Sequence, residues 1–387
     1  MKRQTLLSIT AAALLLSTTA AALFPVTAQG QHHSHKEQVM TKAGPVTVEK
    51  LADGLNHPWG MAFLPDGRLL VSERAGPLRI LKPDGTLSDP VAGVPKVQAQ
   101  GQGGLQDVAL DPNFAANNLV YLSYAEPRKG GAGTAVGRGR LENDRITGFE
   151  VIFRQEPTID GDAHFGSRLV FAPDGKLFVT LGERFQFEPA QDLSTLLGKV
   201  VRINPDGSVP EDNPFVKQKD ARAEIWSYGH RNIESAAIHP QTGELWIAEM
   251  GPMGGDELNR PEAGRNHGWP LVSWGDHYDG KKIPDPPTRP ELADAVHHWT
   301  SGIAPSGMRF YTGDLFPAWK GSMLIGSLLT ESVVRMRIDG QKATEEERIP
   351  LETRIRDVEQ APDGSVYVLT DDDDGKVLRI KPMQTKN

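Results

Sequence analysis

From Val46 onward one pattern of apolar and polar positions recurs. An apolar residue leads into Pro-Asp-Gly, a polar or charged residue follows, and a run of alternating β-formers comes next. The clearest copies are Phe63–Val71 (FLPDGRLLV), Phe171–Val179 (FAPDGKLFV) and Ala361–Val368 (APDGSVYV). Looser copies span Leu110–Leu122, Ile238–Ile247 and Trp319–Gly326. Proline presets the first dihedral of a turn and glycine supplies a positive φ, so each copy predicts a strand–turn–strand hairpin. Successive copies lie roughly 40 to 80 residues apart, and the shorter spacings match a four-stranded blade. Six copies predict an all-β fold, a six-bladed β-propeller, as one domain over residues 46–383. Apolar runs near the two ends, Val46–Leu51 and Val377–Ile380, are expected to close the ring in a shared blade. A large β-sandwich is the alternative, but it leaves the regular repetition unexplained. No long amphipathic helix is predicted.

Composition narrows the function classes. The net charge of −8 is spread over mixed acidic and basic residues with no basic tract, which argues against a nucleic-acid partner. With 0 cysteines, disulfides, thiolate catalysis and Cys-ligated zinc are excluded. Residues 1–28 have the form of a signal peptide: Lys2 and Arg3, an apolar Leu6–Leu16, then Val26-Thr27-Ala28 before the cleavage point. That run is short for a membrane span. The expected location is periplasmic or secreted, with no membrane span. Residues 29–45 read as a flexible polar leader; His32, His33 and His35 there fit a solvated tail better than a metal site.

Because propeller loops gather at two faces, the informative loops are those that break the repeat. Gly251–Asn259 (GPMGGDELN) follows a strand-like run, Glu244–Met250, and carries Asp256 and Glu257. Such a glycine-rich loop can turn carbonyls and carboxylates toward a hard cation such as calcium. A polar inter-strand connection is the equally open alternative. Arg231, in Ser227–Asn232 (SYGHRN), is a permanent cation able to stabilise charge developing on an oxygen. His164, in GDAHFGSRL, has Asp160 and Asp162 nearby in sequence and is either a tuned general base or a half-buried loop histidine. Gln102 stands between glycines in Gln98–Asp107. Arg354 and Arg356 alternate, so they share one side of a strand and suit either a polycarboxylate or acidic neighbours such as Glu352 and Asp357. Trp299 is a stacking surface or core. Asp371–Asp374 reads as a solvated acidic turn.

Taken together these pieces resemble the soluble pyrroloquinoline-quinone-dependent aldose sugar dehydrogenases, the family of soluble glucose dehydrogenase. The matching stretches are HPWGMAFLPDGRLLVSER, GQGG, HFGSRLVFAPDG, SYGHRN, GPMGGDELN, NHGWP, IAPSGM and RIRDV, in family order over nearly the whole mature chain. The resemblance implies a six-bladed propeller that oxidises aldose sugars at C1 to the lactone, with pyrroloquinoline quinone (PQQ) and Ca2+ as cofactors. It makes His164 the general base and sets Arg231 and Asn232 beside the quinone's reactive carbonyl. Gln102 is then placed at substrate and cofactor, and Arg354 and Arg356 on the cofactor carboxylates. Gly251, Pro252, Asp256, Glu257 and the carbonyl of His267 are placed as calcium ligands. The chain departs from relatives at Ile233-Glu234-Ser235, Met250, His267 and Glu183, and Leu329 stands where some relatives have a cofactor-contacting lysine. That last departure predicts looser quinone binding. Two competing readings use the same fold: a calcium-dependent lactone hydrolase, which has no need of the arginine pair, and a catalytically silent sugar-binding propeller. The electron acceptor is unassigned.

Overall fold

The computed structural model describes residues 36–283 and 287–383. Residues 1–28, read above as a signal peptide, and His32, His33 and His35 lie outside the described residues. Six sheets follow one another along the chain. Each begins with an inner strand: Pro58–Phe63, Leu105–Leu110, Gly166–Phe171, Ile233–Ile238, Pro305–Phe310 and Ile355–Gln360. We number the blades 1 to 6 in that order. Each inner strand packs against the next, and that of blade 6 packs against that of blade 1, so the ring closes as a six-bladed β-propeller. Helix among the described residues amounts to one short turn, Phe114–Asn117, and two 3-10 turns.

The Pro-Asp-Gly copies do what their chemistry predicts. Gly67, Gly175 and Gly364 have φ of 86°, 81° and 83° and join inner strands to second strands. All these turns therefore sit at one end of the ring. The segments leading into the inner strands sit at the other, and they carry the candidate site residues.

Closure uses both chain ends. Gly44–Leu55 pairs antiparallel with Gly375–Pro382, with Val48 opposite Ile380, so blade 6 combines N-terminal and C-terminal strands. The leader reading fails in its last residues. Lys36–Thr41 adds a fifth strand to blade 6, paired through Val39 opposite Val46. Its backbone donors find partners on an edge that would otherwise be open.

Core packing lies between blades rather than at the ring's centre. Leu70, Leu78 and Ile80 of blade 1 pack with Val108, Val120 and Leu122 of blade 2. Trp319, Leu324 and Val333 of blade 5 pack with Val358, Val366 and Ile380 of blade 6. The centre is polar instead. Arg168 spans it, reaching Asp107 at 3.1 Å and Asp357 at 3.2 Å and stacking over Trp59 at 4.2 Å. Burial raises the pKa of Asp357 to about 7 against the pull of Arg168.

One local device makes this possible. Every inner strand has a register shift near its start, between Pro58 and Met61, Leu105 and Val108, Gly166 and Leu169, Ile233 and Ser235, Pro305 and Met308, and Ile355 and Asp357. A bulge leaves backbone donors without ladder partners and re-aims side chains. Hydroxyls on the second strands accept those donors at 2.9 Å: Ser72 from Gly60, Ser123 from Asp107, and Thr180 from Arg168.

Candidate active site

His164 precedes the inner strand of blade 3, with a left-handed φ of 53° that a non-glycine residue adopts only when held. Its N–H donates to Gln102 Oε1 at 2.7 Å, which brings Gln102 and His164 together. Arg184 holds the loop from the other side, donating to the carbonyls of Ala132, Gly161 and Ala163 at 2.6–2.8 Å. It also stacks on Phe165 at 3.6 Å. The motif reading gave Arg184 no role, since its partners are all backbone.

The carboxylate that meets His164 is Glu183, not Asp160 or Asp162. Glu183 Oε1 lies 2.9 Å from His164 Nδ1 and the pair is buried. A carboxylate only accepts, so Nδ1 carries the hydrogen and Nε2 is left with its lone pair. Burial lowers the His164 pKa, the Glu183 hydrogen bond opposes that, and the Arg231 charge adds to the lowering. The ring is therefore a neutral base at pH 7. Glu183 is anchored in turn, accepting from Gln186 N at 2.6 Å and donating its own N–H to the Arg231 carbonyl at 2.9 Å. Phe185 covers the imidazole edge-on, 4.9 Å between centroids.

Arg231 is buried and only partly satisfied. Its Nη1 donates to the carbonyls of Met250 at 3.1 Å and Gly251 at 2.7 Å, while Nε and Nη2 have no partner among the described residues. Trp269 and Tyr278 stand 5.4 and 5.7 Å from its guanidinium carbon. Asn232 Oδ1 accepts from Gly166 N at 3.1 Å and its Nδ2 faces Glu234 at 3.2 Å, stitching blades 3 and 4 together beside the two. His230 is structural, held between Ser227 and Glu249 at 2.8 Å each.

Arg356 lies in the inner strand of blade 6 but Arg354 just precedes it, so the two do not share a strand as the alternation suggests, and their acidic neighbours are not Glu352 or Asp357. Arg356 is buried and bridges Glu234 and Asp371, the latter at 2.7 Å. Arg354, half-exposed, reaches Asp371 at 3.1 Å and the Leu328 carbonyl at 3.3 Å. The solvated-turn reading of Asp371 is thereby corrected. Asp371 is buried and also meets His57 Nδ1 at 2.8 Å. The Arg356 charge and these hydrogen bonds overcome desolvation and hold its carboxyl well below the usual range.

The five residues expected at calcium divide between two settings. Asp256 turns inward, accepting from Gly251 N at 2.8 Å, Ile303 N at 2.7 Å and Ala304 N at 2.6 Å, so its carboxylate organises the loop. The Gly251 carbonyl already receives Arg231, and Pro252 is buried alongside. Glu257 and His267 line a small cavity of about 20 Å³ with Glu249, and Gly251 and Arg231 border the same cavity. Desolvation and the Glu249 charge push the Glu257 carboxyl up to about 8. Asn259 Oδ1 and both His267 ring nitrogens are buried without hydrogen-bond partners among the described residues. Among the described residues no three His, Asp or Glu side chains converge as a metal cluster. The oxygen donors nonetheless suit a hard cation, which would relieve the repulsion between Glu249 and Glu257. Trp299 is core, with its indole N–H on Glu345 at 2.7 Å.

A buried neutral imidazole beside a guanidinium whose Nε and Nη2 have no partner among the described residues can take up a proton and stabilise a neighbouring anion. Comparison with known proteins places the chain accordingly. The family model described as Glucose / Sorbosone dehydrogenase matches residues 55–379, and the chain belongs to that family. Aldose sugar dehydrogenase YliI of Escherichia coli (strain K12) is 48% identical over 347 residues, 87% of this chain and 93% of that protein. The crystal structure of the soluble aldose sugar dehydrogenase from Escherichia coli in the apo-form matches with a TM-score of 0.85 at 47% identity, covering 87% of this chain and 100% of that one. The PQQ-bound form of aldose sugar dehydrogenase from Streptomyces coelicolor matches with a TM-score of 0.71 at 28% identity, covering 87% and 98%.

Proposed function

We propose that the protein oxidises aldose sugars at C1 to the lactone, using PQQ and calcium. The observation that carries this reading is the His164–Glu183 pair set beside Arg231, whose Nε and Nη2 have no partner among the described residues. Bound in the site, the quinone supplies a hydride acceptor and calcium supplies electrophilic activation of it. His164 Nε2 takes the proton of the C1 hydroxyl, while the C1 hydrogen leaves with its electron pair. Glu183 keeps the imidazole in the tautomer that accepts at Nε2 and stabilises its charge afterwards. Arg231 stabilises negative charge on an oxygen placed before it. Gln102 holds the His164 backbone, and Phe185 limits water at the imidazole. Arg354 and Arg356 attract carboxylates. Glu257, Glu249 and the carbonyls of Pro252 and His267 would hold calcium, with the second lone pair of the Gly251 carbonyl, whose first receives Arg231, and with Asp256 shaping the loop.

The test is to supply the full chain with PQQ, calcium, glucose and a dye acceptor. Dye reduction that depends on both PQQ and calcium is expected. Lactone hydrolysis without quinone would assign the hydrolase reading, and neither activity would leave a sugar-binding propeller. Export rests on residues 1–28 alone; a mature N-terminus near Gln29 in periplasmic or secreted protein is expected, and an intact N-terminus in the cytoplasm would refute it.

A further inference from the structure

The cationic side of the site contains one arginine more than the motifs assigned. Arg74 follows the second strand of blade 1, Leu69–Glu73. Its N–H donates to the His57 carbonyl at 3.1 Å, and its carbonyl accepts from Leu105 N at 3.2 Å. The residue is thus pinned between the segments leading into the inner strands of blades 1 and 2. Its side chain passes Gly104, where an added β-carbon would fall 2.7 Å from Arg74 Cγ and 1.9 Å from its carbonyl oxygen. Only glycine leaves that path open.

The guanidinium is half-buried, yet among the described residues it makes no hydrogen bond and no ion pair. Its neighbours are committed elsewhere: Arg356 to Glu234 and Asp371, Arg354 to Asp371 and the Leu328 carbonyl. His57, bonded to Arg74 through the backbone, takes a further site on Asp371. Burial lowers the Arg74 pKa, with the Arg356 and Arg354 charges adding to the lowering and Asp371 and Glu234 opposing it. Three arginines thus share two carboxylates, and the one left over is Arg74. A partly desolvated cation beside two others is unfavourable unless an anion completes the group.

We propose that Arg74 is the third carboxylate-binding cation of the quinone site and offsets the neutral Leu329. Leu329 is 59% exposed next to Leu328, whose carbonyl receives Arg354, so it borders the same cluster without adding charge. This inference rests on the quinone reading above. It also revises the expectation drawn from Leu329: binding is not weakened for want of a third charge.

The test is a titration of full-length apo-protein with PQQ at fixed calcium, followed by quinone absorbance. Arg74→Ala is expected to weaken binding about tenfold or more, the worth of a charge-assisted hydrogen bond. Arg74→Lys recovers part of the loss. The neutral trimethyl ester of the quinone binds wild type and Arg74→Ala equally. Leu329→Lys changes little in wild type but rescues Arg74→Ala. The apo thermal midpoint of Arg74→Ala stays level or rises, because its guanidinium has no hydrogen-bond or ion-pair partner among the described residues to lose. Equal PQQ affinity in wild type and Arg74→Ala would overturn the inference, as would an equal loss for the ester or a marked drop in the apo midpoint. Wild type that fails to bind PQQ would overturn this inference and the proposed function together; wild-type binding matched by Arg74→Ala overturns this inference alone.

Discussion

The two ends of the inner strands share a backbone and divide its duties. At the Pro-Asp-Gly end the turns are near copies, exposed, and made of residues chosen for dihedral angle. At the other end no two lead-in segments are alike. They contribute His57, Gln102, His164, Arg231 and Arg354, and their backbones include left-handed non-glycine residues at His57, His164 and Ala304. Repetition therefore builds the ring, and departure from repetition equips it. The same bulge recurs in all six inner strands, so a common irregularity supplies positions that each blade fills differently.

Experiments that touch one end alone can break this division. The largest effect is expected from metal removal: exhaustive chelation should take turnover to background and added calcium should restore it. Turnover by chelated, quinone-loaded protein would remove the metal from the site end. Next, His164→Ala should lower kcat about 10²–10⁴-fold with PQQ affinity nearly unchanged. Near-normal turnover would return His164 to a structural role.

A subtler change at the same end is Glu183→Gln. Burial already lowers the His164 pKa, so the acid limb of kcat/KM should lie below the ordinary imidazole range near 6.5. Glu183 raises that pKa; its removal should move the limb to lower pH and slow the reaction about tenfold, less than loss of the base itself. An unmoved limb would mean that another group titrates. At the opposite end, Gly175→Ala should cost about 1–2 kcal/mol of stability, because a β-carbon is strained at a left-handed φ. No atom lies within 4 Å of the added carbon, so crowding adds nothing. Denaturant melts should show the loss while kcat stays level; a fallen kcat would show that the two ends are coupled.

The division also explains what was legible in the chain. Pro-Asp-Gly followed by alternating β-formers carries its own mechanism, so blade number and the shared closing blade could be read directly. His164, Arg231, Asn232 and Gln102 were legible as chemistry because residue type limits what they can do. Their partners were not. Glu183 lies 19 residues beyond His164 and meets it only through the second strand of blade 3. Asp371 looked like one more acid in an acidic turn, yet the ring carries it to Arg354, Arg356 and His57. Asp256 reads as a metal ligand from its glycine-rich loop, and the sequence does not show that Gly251, Ile303 and Ala304 bring backbone N–H groups to its carboxylate. Lys36–Thr41 has the composition of a solvated tail and becomes strand through an available edge. Arg74 closes an ordinary strand, and nothing in the local sequence marks it as unpaired.

The closing blade has a consequence for the protein's biosynthesis. Blade 6 takes Gly44–Leu55 from the first part of the chain and Gly375–Pro382 from the last. Five blades can assemble as the chain emerges, but the early strand must wait for its partner. Arg354, Arg356 and Asp371 belong to that final installment. The cationic corner formed by Arg354 and Arg356 with Asp371 is therefore finished only when synthesis is nearly complete, and a chain cut short before blade 6 lacks both arginines.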